Sequence, residues 1–229
     1  MKIAVITSVF GNVQQLRTPQ TKWHGVDYYA YVDKEHPCEV WNQIVSPDFT
    51  IDKQFTGRRN AKIYKIMPHV FLPDYDYHIW MDPTHDIISD PKEFCQAYLK
   101  DNDTEGPGGD YDTLDNIHRQ LEFYKEEGFP KDFGLFELSA SIRKNTPQIQ
   151  TMNLKWWEII CRFSSRDQIS LPFVLNSLNI DVKVLPGFAN NGLKQNPIIP
   201  QLYYLRMLGP ASKRNLKWNK RVGTKHHNK

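Results

Sequence analysis

Lys2-Ile3-Ala4-Val5-Ile6-Thr7-Ser8-Val9-Phe10-Gly11 opens the chain as an apolar run closed by a glycine. Such a run marks a buried parallel strand, because helices cover both faces of a parallel sheet and no polar alternation is needed. Residues 28–33 and 41–46 are two further short strand candidates, separated by the turn pair His36-Pro37. Residues 77–81 read as a central strand that ends at Asp82.

Between these runs the period changes from two to three and four. Over residues 58–71 the apolar stripe is Ala61, Ile63, Tyr64, Ile66 and Met67, with Arg59, Lys62 and Lys65 along another face and Pro73 as a stop. Asp90-Pro91-Lys92-Glu93 has the N-cap aspartate and first-turn proline of a helix start. Residues 101–112 are polar and glycine-rich and read as a surface loop or lid. A helix over 113–127, a strand over 133–142 and a long helix from Thr146-Pro147 to 163 follow. The Ser165-Arg166-Asp167-Gln168 break comes next, then a helix over 169–178 and a last strand over 181–185 before a proline-rich end.

Strands alternating with helices predict one three-layer α/β domain, Rossmann-like, with a mostly parallel central sheet, over residues 1–210. Ligands in such folds sit outside the carboxyl ends of the strands, which singles out Asp33 and Asp82.

The chain has 229 residues, of which 40% are hydrophobic and 24% charged, a core-forming composition and not that of a disordered segment. A formal net charge of +3 is too small and too dispersed for a nucleic-acid binder. Cations crowd only at the end, where Lys213, Arg214, Lys217, Lys220, Arg221 and Lys225 make residues 211–229 a basic tail. That tail is either a solvated end or an arm for a diphosphate, an anionic glycan or a membrane surface. Cys38, Cys95 and Cys161 are too scattered for a zinc site or a disulfide framework and suit a reducing compartment. No run approaches the length of a transmembrane segment and the first residues read as a strand rather than a signal, so the expectation is a cytoplasmic protein.

Three constellations could carry chemistry. Asp82-Pro83-Thr84-His85-Asp86 follows the 77–81 strand, and Asp82 with Asp86 could hold a divalent metal on a diphosphate, or form only a capped turn. Asp167, flanked by Arg166 and Gln168, could act as a base on an acceptor hydroxyl, or cap the following helix. Arg59, Lys62 and Lys65 could hold a pyrophosphate, or be a solvated face. Of Trp156 and Trp157, which point in two directions on a helix, one is core and the other could stack on a sugar. Arg143 and Glu137 are candidates for sugar hydroxyl contacts or for surface ion pairs. Phosphate-binding glycine loops, HExxH and GxSxG are all missing, so kinase and common hydrolase readings lack their motifs.

In series, Arg58-Arg59-Asn60-x-Lys62-Ile63-x-Lys65-Ile66, Ile79-Trp80-Met81-Asp82, Gln120-Leu121-Glu122-Phe123-Tyr124 and Ser165-Arg166-Asp167-Gln168 resemble a known family. It is the glycosyltransferase-like family typified by plant turgor-regulation and mucilage-synthesis proteins, with relatives in bacteria and large viruses, among them a chlorovirus glycosyltransferase domain. The resemblance runs from Ile3 to about Ile180. It implies a GT-A-type fold that uses a nucleoside-diphosphate sugar, with a UDP-sugar as the expected donor, and a divalent metal, manganese or magnesium. Asp82 matches the strand-end metal or diphosphate anchor, Arg59, Lys62 and Lys65 the basic helix, and Arg166, Asp167 and Gln168 the Ser-Arg-Asp-Gln element with Asp167 as the base. Thr7, Val9 and Asp33 are expected near the nucleoside, and Arg143 and Trp157 near the sugar. After Asp82 many relatives continue with Gly or Ala and then Lys or Asn, where this chain has Pro83-Thr84-His85-Asp86. The reading is a metal-dependent transfer of one sugar to a glycan or other hydroxyl acceptor. The alternatives are a catalytically silent nucleotide- or glycan-binding module of the same fold, and a phosphoester hydrolase.

Overall fold

The opening run is strand β1 (Ile3–Val9), and all seven of its residues are buried. The computed structural model describes residues 1–11, 16, 18–19, 22–46, 56–83, 85–87, 90–98, 114–130, 133, 136, 138, 140–182 and 205–207. On one side β1 pairs in parallel with β2 (Val26–Val32), which carries β3 (Asn42–Val45) at the sheet edge. On the other side β1 pairs in parallel with β4 (Tyr77–Met81), so that Ile3 faces Val26 and Tyr77. The full order is β3-β2-β1-β4-β6, with β6 (Ala140–Lys144) antiparallel to β4. Burial on two faces and pairing on two edges explain why β1 needs no polar alternation.

The period of two sorts the side chains of the sheet. Ile3, Val5, Val9, Tyr28, Ala30, Val32, Ile79 and Met81 pack on one face with Leu16, Cys38, Trp41, Ile87 and Cys95. Ala4, Ile6, Tyr31 and Trp80 pack on the other with Tyr64 and Leu72. Tyr64 belongs to α1 (Thr56–Ile66), which the short α2 (Pro68–Phe71) follows, whereas Cys95 belongs to α3 (Pro91–Tyr98). A larger helical core joins Ile66 to Tyr124 of α4 (Leu114–Glu126), Trp156 and Ile160 of α5 (Pro147–Arg162), and Phe173 of α6 (Asp167–Leu178). Local chemistry fixes the helix ends. The Thr146 hydroxyl accepts the Ile149 amide at 3.4 Å, and Asn179 stops α6 in the left-handed region at φ 50°.

The structure differs from the sequence reading in four places. The helix expected over 58–71 divides at Met67, because Pro68 has no amide hydrogen and starts a new turn. The strand expected over 133–142 lies instead at Ala140–Lys144, shifted toward α5. A two-stranded ribbon of β5 (His85–Ile87) and β7 (Leu205–Met207) was not foreseen, since three-residue strands carry no readable period. Residues 181 and 182 are not in a strand. The remainder of that expected strand, the 101–112 loop, Glu137 and the 211–229 tail lie outside the described residues.

Candidate active site

Four parallel strands bring their carboxyl ends to one edge, and the residues that follow β1, β2 and β4 supply the candidate site. After β1, Gly11 turns at φ 72° and its amide donates to the Asp33 carboxylate at 2.7 Å. Asp33 in turn donates its amide to the Val9 carbonyl at 3.2 Å, which ties the ends of β1 and β2 together. After β4, Trp80 and Asp82 share a face, and the Trp80 indole Nε1 donates to Asp82 Oδ1 at 2.9 Å. Ser8 donates its hydroxyl to the Ala61 carbonyl at 3.1 Å, which anchors α1 over this edge.

On that helix the spacing of three puts Lys62 and Lys65 on one face, and both reach the first residue of α6. Lys62 Nζ lies 2.6 Å and Lys65 Nζ 2.7 Å from Asp167 Oδ2. Lys65 also donates to the Leu138 carbonyl and sits 5.4 Å from the centre of the Trp80 ring, a cation–π contact. Burial raises the Asp167 carboxyl, but the two ammonium groups outweigh it and hold the pKa well below the usual carboxylate range. Burial lowers the Lys62 pKa, opposed in part by Asp167 and, more weakly, by Asp82. Asp82, Lys62, Asp167 and Lys65 thus form one electrostatic cluster of alternating sign.

The turn that presents Asp167 has its own scaffold. Ser164 Oγ accepts the Arg166 amide at 3.1 Å, and Gln120 Oε1 accepts the Ser164 amide at 3.3 Å. Ser170 Oγ accepts the Trp156 indole at 2.8 Å and donates to the Asp167 carbonyl at 3.1 Å. The Gln120 and Ser165-Arg166-Asp167-Gln168 motifs are therefore two sides of one contact. Arg166 reaches Gln168 Oε1 at 3.1 Å. The helix-capping alternative for Asp167 does not hold: it is the first residue of α6, Arg166 holds the cap position, and the carboxylate goes to the lysines.

Other expected site residues lie elsewhere. Thr7 and Val9 are wholly buried, and Val9 packs with Ile3 and Val5 on the face away from α1, as the period of two requires. Arg59 does not join the lysines, because its Nη2 donates to the Phe163 carbonyl at 3.1 Å, at the end of α5. Arg143 is buried behind α1, with its guanidinium on the carbonyls of Lys65 and Ile66 (3.0 Å for Ile66) and on Asn153 Oδ1 at 2.7 Å. It is a strut rather than an open sugar ligand. Trp156 is the core indole, and Trp157 is half-buried against the same helical cluster. The backbone of Asp86 lies in β5 beyond a turn in which the His85 amide donates to the Asp82 carbonyl at 2.9 Å. The Asp86 side chain is outside the described residues.

Sequence reasoning missed the Trp80 clamp on Asp82, although two residues apart on a strand was signal enough. It also missed the aromatic stack of Tyr31 on Tyr64, with centroids 3.9 Å apart, on which Phe10 lies at the strand end.

Among the described residues no three His, Cys, Asp or Glu side chains come together to hold a metal. The donor set still fits a magnesium- or manganese-like ion, which takes one or two carboxylates and completes its shell with water and substrate phosphate. Asp82 offers one such carboxylate, with Oδ1 fixed by Trp80. No helix among the described residues is long and apolar enough to cross a membrane.

The chain is 23% identical over 221 residues to the probable hexosyltransferase MUCI70 of Arabidopsis thaliana, a match that takes in 77% of this chain and 37% of that protein. The chain therefore spans little more than a third of the relative it matches. Among solved structures it is similar to mouse xyloside xylosyltransferase 1 in its apo form, at 11% identity and a TM-score of 0.43, over 80% of this chain and 84% of that one. No family model matches the chain.

Proposed function

We propose that the protein is a glycosyltransferase that moves a sugar from a nucleoside-diphosphate donor, a UDP-sugar, to an acceptor hydroxyl with the help of manganese or magnesium. The observation that carries this reading is the cluster at the carboxyl edge of the parallel sheet, where two lysines and the Trp80-held Asp82 converge. Open α/β sheets bind ligands at that edge, and departure of a diphosphate demands cations there more than any other group. The likeness to a probable hexosyltransferase supports the same class. Asp82, with Asp86 next in line, would hold the metal, which would bind the diphosphate and offset its charge. Asp33, exposed at the β1–β2 junction, would lie toward the nucleoside.

One observation favours a second reading, a nucleotide- or glycan-binding module without turnover: the expected base, Asp167, is committed to two lysines. A thermal-shift panel of nucleoside diphosphates and their sugars, with and without manganese, tests both. A ligand at 100 times its dissociation constant stabilises the fold by about 2.7 kcal/mol. A manganese-dependent shift with one base, followed by acceptor-dependent loss of that donor, is the transferase outcome. Binding without turnover selects a nucleotide-binding module, and no shift with any nucleotide removes the transferase and leaves the glycan-binding module.

A further inference from the structure

Two ammonium groups share a single oxygen, Asp167 Oδ2. The trio therefore carries one positive charge in excess, which Asp82 offsets without pairing directly. The two lysines are not equivalent. The Lys65 side chain is 2% exposed and enclosed by Asp167, the Leu138 carbonyl and the Trp80 ring. The Lys62 side chain is 24% exposed, and among the described residues Asp167 is its one ion-pair partner. Its charge is also within electrostatic reach of the strand-end carboxylate Asp82.

We propose that Asp167 is a positioning residue, which aims the Lys62 ammonium at the carboxyl edge of the sheet, and that Lys62 rather than Lys65 takes the diphosphate of the donor. This inference rests on the transferase reading and deepens it. A carboxylate that pairs with two ammonium groups on one oxygen is a poor acceptor for a hydroxyl proton, but it is a good fixture for a flexible lysine. The four-carbon stem of Lys62 would otherwise sample many rotamers, and its restraint at both ends preorganises the cation for an anion. A dianionic diphosphate would supply the negative charge that the trio lacks. The first turn of α6 and the Gln120-supported Ser164 turn keep Asp167 in place for this task.

Titration calorimetry with UDP, and separately GDP, in manganese tests the assignment on wild type, Lys62→Met, Lys62→Arg, Asp167→Asn and Asp167→Glu. Lys62→Met should weaken the bound nucleotide at least tenfold, and Lys62→Arg should recover most of that loss. Asp167→Asn should also weaken it by about tenfold, with partial recovery in Asp167→Glu, and should raise KM more than it lowers kcat. Wild-type affinity in Lys62→Met overturns the proposal and leaves the transferase reading standing. So does an Asp167→Asn enzyme that binds UDP normally and loses only kcat, which would make Asp167 the base after all. A wild type that binds neither nucleotide overturns both readings. If Asp167→Asn does not fold, the Lys62 pair decides alone.

Discussion

Two buried cationic sites hang on α1, and they are built on opposite principles. Arg143 reaches the helix from β6 and spends its guanidinium on neutral acceptors, the carbonyls of Lys65 and Ile66 and the side-chain oxygen of Asn153. Lys62 and Lys65 extend from the same helix and place their charge on a carboxylate. Arg143 is sealed, with its pKa lowered by burial to about 9, and the carbonyls it caps belong to the last turn of α1. The lysine pair is sealed only at Lys65, since Lys62 opens to the sheet edge. A buried cation matched to neutral carbonyls closes a helix end. One that shares a carboxylate and keeps an exposed face can still meet an anion. The difference separates scaffold from site more sharply than burial does.

The largest effect that would break this distinction is on the scaffold side. Arg143→Met removes the partner of three acceptors that stay buried, each worth on the order of 1–3 kcal/mol when left unpaired. A loss of about 4 kcal/mol of unfolding free energy is expected, read from a denaturant midpoint at constant slope. Nucleotide affinity of the folded fraction should be nearly unchanged. A loss under about 1 kcal/mol, or a selective loss of nucleotide binding, would move Arg143 into the site, where the sequence reading had put it.

That reading of Arg143 shows where the sequence falls short. β1, β2 and β4 are legible because long apolar runs between turn signals leave few alternatives, and their ends point directly to Asp33 and Asp82. Lys62 and Lys65 are legible as one helix face. Their pairing with Asp167 is not, because it joins distant parts of the chain through the docking of α6 on α1, and no local period encodes it. Arg143 failed for a related reason. A polar residue on an antiparallel edge strand reads as exposed, and only the arrival of α1 and α5 over it makes it buried. Pro68 was a legible break that the apolar stripe of α1 hid.

A second test sharpens the scaffold side. His78 lies opposite Arg143 across the β4–β6 pair, buried, with Nε2 donating to the Leu72 carbonyl at 2.9 Å. Burial, with smaller contributions from Arg143 and His69, pushes its pKa from 6.5 down to about 4. The unfolded chain therefore takes up a proton on this side chain near pH 6.5 while the folded chain does not. Its contribution to stability is complete above pH 6.5 and is lost as pH falls toward 4, on the order of 3 kcal/mol in all. Denaturant midpoints of wild type and His78→Gln across that range should converge toward the acid end. Parallel profiles would mean that the neutral imidazole is not what the Arg143 side of the fold requires.

The smallest effects fall on the lysines, and their inequality is the finer test. Lys65→Met leaves Asp167 buried with one partner and the Leu138 carbonyl with none from this side chain, so a cost of about 2 kcal/mol is expected. Lys62→Met leaves the Lys65–Asp167 pair intact and removes a cation whose burial already opposes its charge, so stability should change by less than about 1 kcal/mol in either direction. The same substitution is the one expected to cost most in nucleotide affinity. A residue whose removal barely moves the denaturant midpoint yet weakens diphosphate binding at least tenfold has its charge placed for the ligand rather than for the fold. Equal stability losses at both lysines would instead make the pair a second strut, built with a carboxylate where Arg143 uses carbonyls.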